Sequence, residues 1–119
     1  GIIDILKKRN IEIHVRSVFL QGLMFMSNKN IKEKFKSVLK PINDIKKITQ
    51  KYKFSLAQLS LLFVSNFKFF YKIILGLDSV DQLNNNMQTL KNKIPQNIIH
   101  DILSLEYDDE EVLNPSLWK

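Results

Sequence analysis

The chain has 119 residues, 45 % of them hydrophobic, no cysteine and a formal net charge of +6. That size suits one domain or part of one, and that apolar content is too high for disorder. The lack of cysteine excludes disulfides, thiolate metal sites and a cysteine nucleophile, and two histidines far apart in sequence, His14 and His100, offer little for a metal centre.

The first residues, Ile2–Lys8, read as helix, with Lys7, Lys8 and Arg9 near the C-terminal end where cations are favoured and Asn10 as a stop. Residues 11–17 alternate strictly, as a strand does: Ile11, Ile13 and Val15 share one face, and Glu12, His14 and Arg16 the other. The apolar stretch 18–26 contains Gln21-Gly22, which suits a loop leaving a strand end. Two short lysine-rich helical segments follow over 28–39 and 41–52, split at Pro41. Ser55 then stands three residues before Gln58, the spacing of a capping box, at the start of a strongly apolar helix carrying Leu56, Leu59, Phe63 and Val64. The apolar run 73–75 reads as a buried strand. Strand, helix and strand in this order argue a right-handed parallel unit.

Gly76 ends the second strand, and Ser79 and Gln82 repeat the capping-box spacing. Leu83, Met87 and Leu90 follow at the spacing of one apolar helix face. Strand, glycine turn and capped helix aim backbone N–H groups and the positive end of a helix dipole at whatever sits above the strand, and the natural occupant is a phosphate. Asn84, Asn85 and Asn86 lie inside this helix despite poor propensity, which suggests either a polar role or merely a sequence rich in asparagine. Pro95 opens a last helix over 96–105. After the acidic turn 106–111, an apolar tail ending in Trp118 is expected to dock against the body.

No apolar run is long enough to cross a membrane; Gln58, Asn66, Lys68 and Lys72 interrupt the most apolar region. The lysines are scattered over helix faces with no arginine-rich or aromatic-interleaved strip, so neither membrane nor nucleic acid is an expected partner. No signal peptide is evident, which leads to the expectation of a cytoplasmic protein, and the initial Gly1 to that of a chain beginning inside a longer one.

Several of these blocks resemble one family. Arg16-Ser17-Val18-Phe19-Leu20-Gln21-Gly22 resembles the segment after the seventh barrel strand of aldo/keto reductases, where aromatic-Ser-Pro-Leu-x-x-Gly is usual. Ser55, Gln58 and Leu61 match the Ser-x-x-Gln-x-x-Leu of the family's next helix. Ile74-Leu75-Gly76-x-x-Ser79-x-x-Gln82-x-x-x-Asn86 is similar to the family's phosphate loop, Ile-Pro-Gly-x-x-Ser-x-x-Gln-x-x-x-Asn. The tail Asn114-Pro115-Ser116-Leu117-Trp118 also resembles family endings.

The resemblance implies an α/β fold: the C-terminal fragment of a (β/α)8 TIM barrel, one partial domain with two parallel strands and five to six helices. Its partners would be a nicotinamide dinucleotide, NADP or NAD, and the missing N-terminal part of the barrel. Arg16 takes the place of the aromatic that stacks on the nicotinamide. Ser17, Phe19, Gln21 and Gly22 would lie along the pyrophosphate. Gly76, Leu77 and Ser79 would hold the adenosine-side phosphate, with Gln82 beside it. Asn86 would bond the adenine edge, and Asn85 counts among the cofactor-binding residues. Asp78 stands where a basic residue often binds the 2′-phosphate of NADP, which weakens that preference. Leu75 replaces the usual proline.

The function implied is hydride transfer to a carbonyl. The family's catalytic residues come from earlier strands, so none is assigned here and no metal is called for. The competing expectations are a small helical interaction module with a vestigial dinucleotide loop, and salt-sensitive anion binding by the lysines.

Overall fold

In a computed structural model, which describes residues 1–118, most of the chain is helical. Helix α1 covers Ile2–Lys8, with Lys7 and Lys8 in its last turn. Two 3₁₀ turns, Leu20–Phe25 and Glu33–Val38, lead to α2 over Leu39–Tyr52. Helix α3 follows over Leu56–Ser65, α4 over Val80–Thr89, α5 over Gln96–Leu103 and the short α6 over Glu110–Leu113. Among the described residues there are two strands, β1 at His14–Val15 and β2 at Lys72–Ile73. They pair in parallel, His14 against Lys72 and Val15 against Ile73.

Local chemistry explains where the helices start and stop. The Ser55 hydroxyl accepts the Gln58 backbone N–H at 3.1 Å, and the Gln58 side-chain Oε1 accepts the Ser55 N–H at 2.9 Å, so two orphan donors at the start of α3 are satisfied reciprocally. Lys53 closes α2 in the left-handed region at φ 58°. Pro41 does not split two helices as its ring suggests. It sits in the first turn of α2, where its missing N–H has no helical acceptor to lose, and the helix expected over 28–39 is instead a 3₁₀ turn ahead of it.

The core is in two parts joined by α2. Leu23, Ile31, Phe35, Val38 and Ile42 pack with Val112, and Trp118 lies on Phe35 with ring centroids 4.7 Å apart. The Trp118 indole N–H donates to the Val112 carbonyl at 3.0 Å, so the tail docks as its apolar composition predicts. The second cluster joins Ile48 of α2 to Leu59 and Leu62 of α3 and to Ile94, Ile98 and Ile99 around α5. Polar clasps reinforce both. Ser37 meets the Tyr107 hydroxyl at 2.9 Å and donates to Asp109 at 2.7 Å; Lys51 and Tyr52 both donate to Asp101. The Cα radius of gyration of 15.0 Å exceeds the roughly 13.5 Å of a single-core domain this long, as two side-by-side clusters require.

The barrel expectation is overturned: the chain is a small α-rich domain, not a C-terminal fragment of a (β/α)8 TIM barrel. The alternation over 11–17 and the apolar run 73–75 each leave two paired residues. A parallel pair is held by further strands and by helices on both faces, and among the described residues this sheet has no third strand. Left-handed residues at Asn10 and Ser17 also bracket the first segment and end its extended backbone. The second run is not buried either, since Ile74 is 53 % exposed.

One helix face departs from its pattern. The spacing of Leu83, Met87 and Leu90 predicts that this side of α4 packs inward. Instead α4 meets α3 through its polar side, where Thr89 is buried and donates to the Asn85 carbonyl at 2.8 Å. Val80, Leu83, Met87 and Leu90 remain 71, 45, 56 and 42 % exposed.

Candidate functional site

Because β1 and β2 run the same way, the segments that leave them leave from one edge. Residues 16–22 follow β1; residues 74–78 and then α4 follow β2. These two segments, far apart in sequence, together line a cleft of about 610 Å³. The carboxyl edge of parallel strands is where α/β proteins bind ligands, since the departing loops and helix starts converge there.

The first wall is a strained coil. Ser17, Leu20, Gln21 and Gly22 all have positive φ, at 60, 47, 53 and 80°. For the three with side chains this costs on the order of 1 kcal/mol each. Two tight turns hold the coil: the Leu20 N–H donates to the Ser17 carbonyl at 2.8 Å, and the Gly22 N–H to the Phe19 carbonyl at 2.9 Å. Leu23, 2 % exposed, anchors its end in the first core cluster.

The second wall is the turn into α4. The Ser79 hydroxyl accepts the Gln82 N–H at 3.2 Å, as a cap should. The Gln82 side chain does not return to the Ser79 N–H as the spacing predicts; it accepts the Asp78 N–H at 2.8 Å, one residue earlier, and so fixes the turn itself. Val80 and Asp81, the first two helical positions, carry N–H groups with no intrahelical acceptor. The charged side chains of the lining are Arg16 and Asp78, of opposite sign.

Of the residues proposed from sequence, Arg16, Ser17, Phe19, Gln21 and Gly22 from the first segment share this cleft with Gly76, Leu77, Asp78, Gln82 and Asn86 from the second. Ser79 is not in the lining and serves as the helix cap. Asn85 lines an adjoining polar groove of about 470 Å³ between α3 and α4, which shares Ala57, Gln82 and Asn86 with the main cleft. Val18, Phe25, Ala57, Ile74 and Leu75 also line the main cleft and were not singled out as site residues. Val18, Ile74 and Leu75 lie inside the motif blocks, and Ala57 is a small residue just after the Ser55 cap. Phe25, whose ring lies 5.5 Å from that of Phe19, gave no signal.

No protein-family model matches the chain, and no curated protein or solved structure matches it. The likeness to aldo/keto reductases therefore rests on the motif residues alone. Among the described residues no group of three or more His, Asp or Glu is placed to hold a metal ion, and no helix is long and apolar enough to cross a membrane.

Proposed function

We propose that this cleft binds a nicotinamide dinucleotide, NAD or NADP, and that the chain is the cofactor-binding part of an aldo/keto reductase-like oxidoreductase. One observation carries the reading: the two motif blocks that resemble that family's dinucleotide-binding segments converge on a single cleft at the carboxyl edge of the strand pair.

The residues present fit such a ligand. Ser17 and Gln21 offer polar groups on one wall, Arg16 a planar cation, and the start of α4 a dipole that favours phosphate. Gly76 supports the fit further. Its φ is not left-handed, and a Cβ built there meets nothing within 4 Å, so the fold itself does not demand glycine. A side chain there would instead project into the open cleft, where it would stand in the way of a bound dinucleotide. Asp78 acts against a 2′-phosphate: like charges about 5 Å apart cost on the order of 3 kcal/mol at an effective dielectric near 20. NAD is therefore not strongly disfavoured against NADP. When bound, the nicotinamide supplies a hydride for carbonyl reduction. The chain's own residues hold and orient the dinucleotide, and the resemblance assigns none of them to proton donation.

Calorimetric titration of the 119-residue chain with NAD and with NADP tests this. Saturable binding is expected, weakened about tenfold or more by Gly76→Ala with no fall in thermal stability. Absence of binding to both dinucleotides, or identical affinity in Gly76→Ala, refutes the reading. The alternative of a helical interaction module is favoured by the exposed apolar side of α4.

A further inference from the structure

We propose that α4 is a homodimerisation surface, on which a second copy of this chain docks its own α4 antiparallel. The apolar side of the helix is open because α3 occupies its polar side, at Asn86 and Thr89. The open side bears Val80, Leu83, Met87 and Leu90, at spacings of three, four and three. Alternating spacings of three and four are those of a seam between two helices packed at a shallow angle.

The spacing reads the same in both directions, which is what an isologous contact needs. With a two-fold axis across the middle of α4, each Leu83 faces the Met87 of the other copy, and each Val80 faces its Leu90. The charges select the antiparallel sense. Asp78 and Asp81 lie at the N-terminal end, and Lys91 and Lys93 just beyond the C-terminal end. Antiparallel docking sets the acidic end of each copy beside the basic end of the other and opposes the two helix dipoles. Parallel docking stacks like on like. A partner helix of uniform charge would meet one end of its own sign, whereas a second copy meets neither. Asn84 and Gln88 on the same helix are uncharged amides, so they force no like charges together.

One side of a ten-residue helix falls short of the roughly 1,200–2,000 Å² of a standard interface. The dimer is therefore concentration-dependent. This inference does not rest on the dinucleotide reading, since the apolar stripe lies outside the cleft lining; of the charges it invokes, Asp78 also lines the cleft.

Sedimentation equilibrium of the full chain, from about 5 to 500 µM, should show the average mass rising from the 14.0 kDa of the monomer toward twice that value. Leu83→Glu replaces an exposed side chain, so it should retain the parent's circular dichroism while weakening association about tenfold or more. The chain has no native thiol, which permits a direct test of orientation. When Leu83→Cys and Met87→Cys proteins are mixed and air-oxidised, the mixed disulfide should exceed both homodisulfides together. A parent that stays monomeric at the highest concentration, undiminished association in Leu83→Glu, or predominance of homodisulfides overturns the proposal.

Discussion

Gly22→Ala isolates the backbone strain of the cleft wall. Gly22 sits at φ 80°, and a Cβ built there meets nothing within 4 Å, so the substitution adds no clash and only a conformational penalty. A left-handed residue with a side chain costs about 1–2 kcal/mol. The loss of glycine's freedom in the unfolded chain returns about 0.4–1 kcal/mol. The net expectation is a destabilisation of about 1 kcal/mol. With an unfolding entropy of about 2.1 cal/mol/K per residue, a chain this long has about 0.25 kcal/mol/K at its midpoint, so Tm should fall by about 4 °C. Gly76→Ala is the internal control. It has the same open surroundings but no positive φ, so Tm should hold or rise slightly. Thermal unfolding followed by circular dichroism reads both. Equal losses at the two glycines, an unchanged Tm in Gly22→Ala, or a fall beyond about 12 °C would show that the penalty is not conformational and refute the reasoning.

Leu59→Ala, at a residue 1 % exposed in the second core cluster, should cost about 2–5 kcal/mol in urea unfolding, and a smaller loss would mean that the cluster collapses around the gap. The Asp101 carboxyl is held below its ordinary range, first by the hydrogen bond from Lys51 and then by that from Tyr52. Its contribution is therefore present above the unfolded carboxylate pKa of about 3.9 and is lost as pH falls through the lower folded value. Asp101→Asn should accordingly lower Tm at pH 7, with the gap to the parent closing below about pH 3.9. Asp78→Arg should shift the ratio of NAD to NADP dissociation constants toward NADP by about tenfold or more; a parent that already binds NADP a hundredfold tighter would show that Asp78 does not face a 2′-phosphate.

Local signals carried the helices. The Ser55 and Ser79 caps, the cationic end of α1 and the start of α5 after Pro95 follow from residues within one turn of each boundary. The loop partners of the cleft were legible for the same reason: glycine turns and helix starts write themselves into short motifs. Strand length was not. Residues 11–17 alternate well enough for a long strand, yet how many of them pair depends on what lies alongside, and only Lys72–Ile73 does. Burial of α4 was misread for a related reason. Periodicity shows that Leu83 and Met87 share a side but not what that side meets, and α3 took the side with Asn86 and Thr89 instead.

The two core clusters differ in when they can form during synthesis. The second draws on residues from Ile48 to Ile99, whereas the first needs Val112 laid against Leu23, Phe35 and Ile42. At about 5–20 residues per second, Val112 follows Ile42 off the ribosome by about 4–14 s. Through that interval the apolar residues around Phe35 and Val38 lack Val112 and Trp118 to pack against. The nascent chain should thus be open to chaperone capture around Phe35 and Val38, and released from it when Val112 and Trp118 arrive.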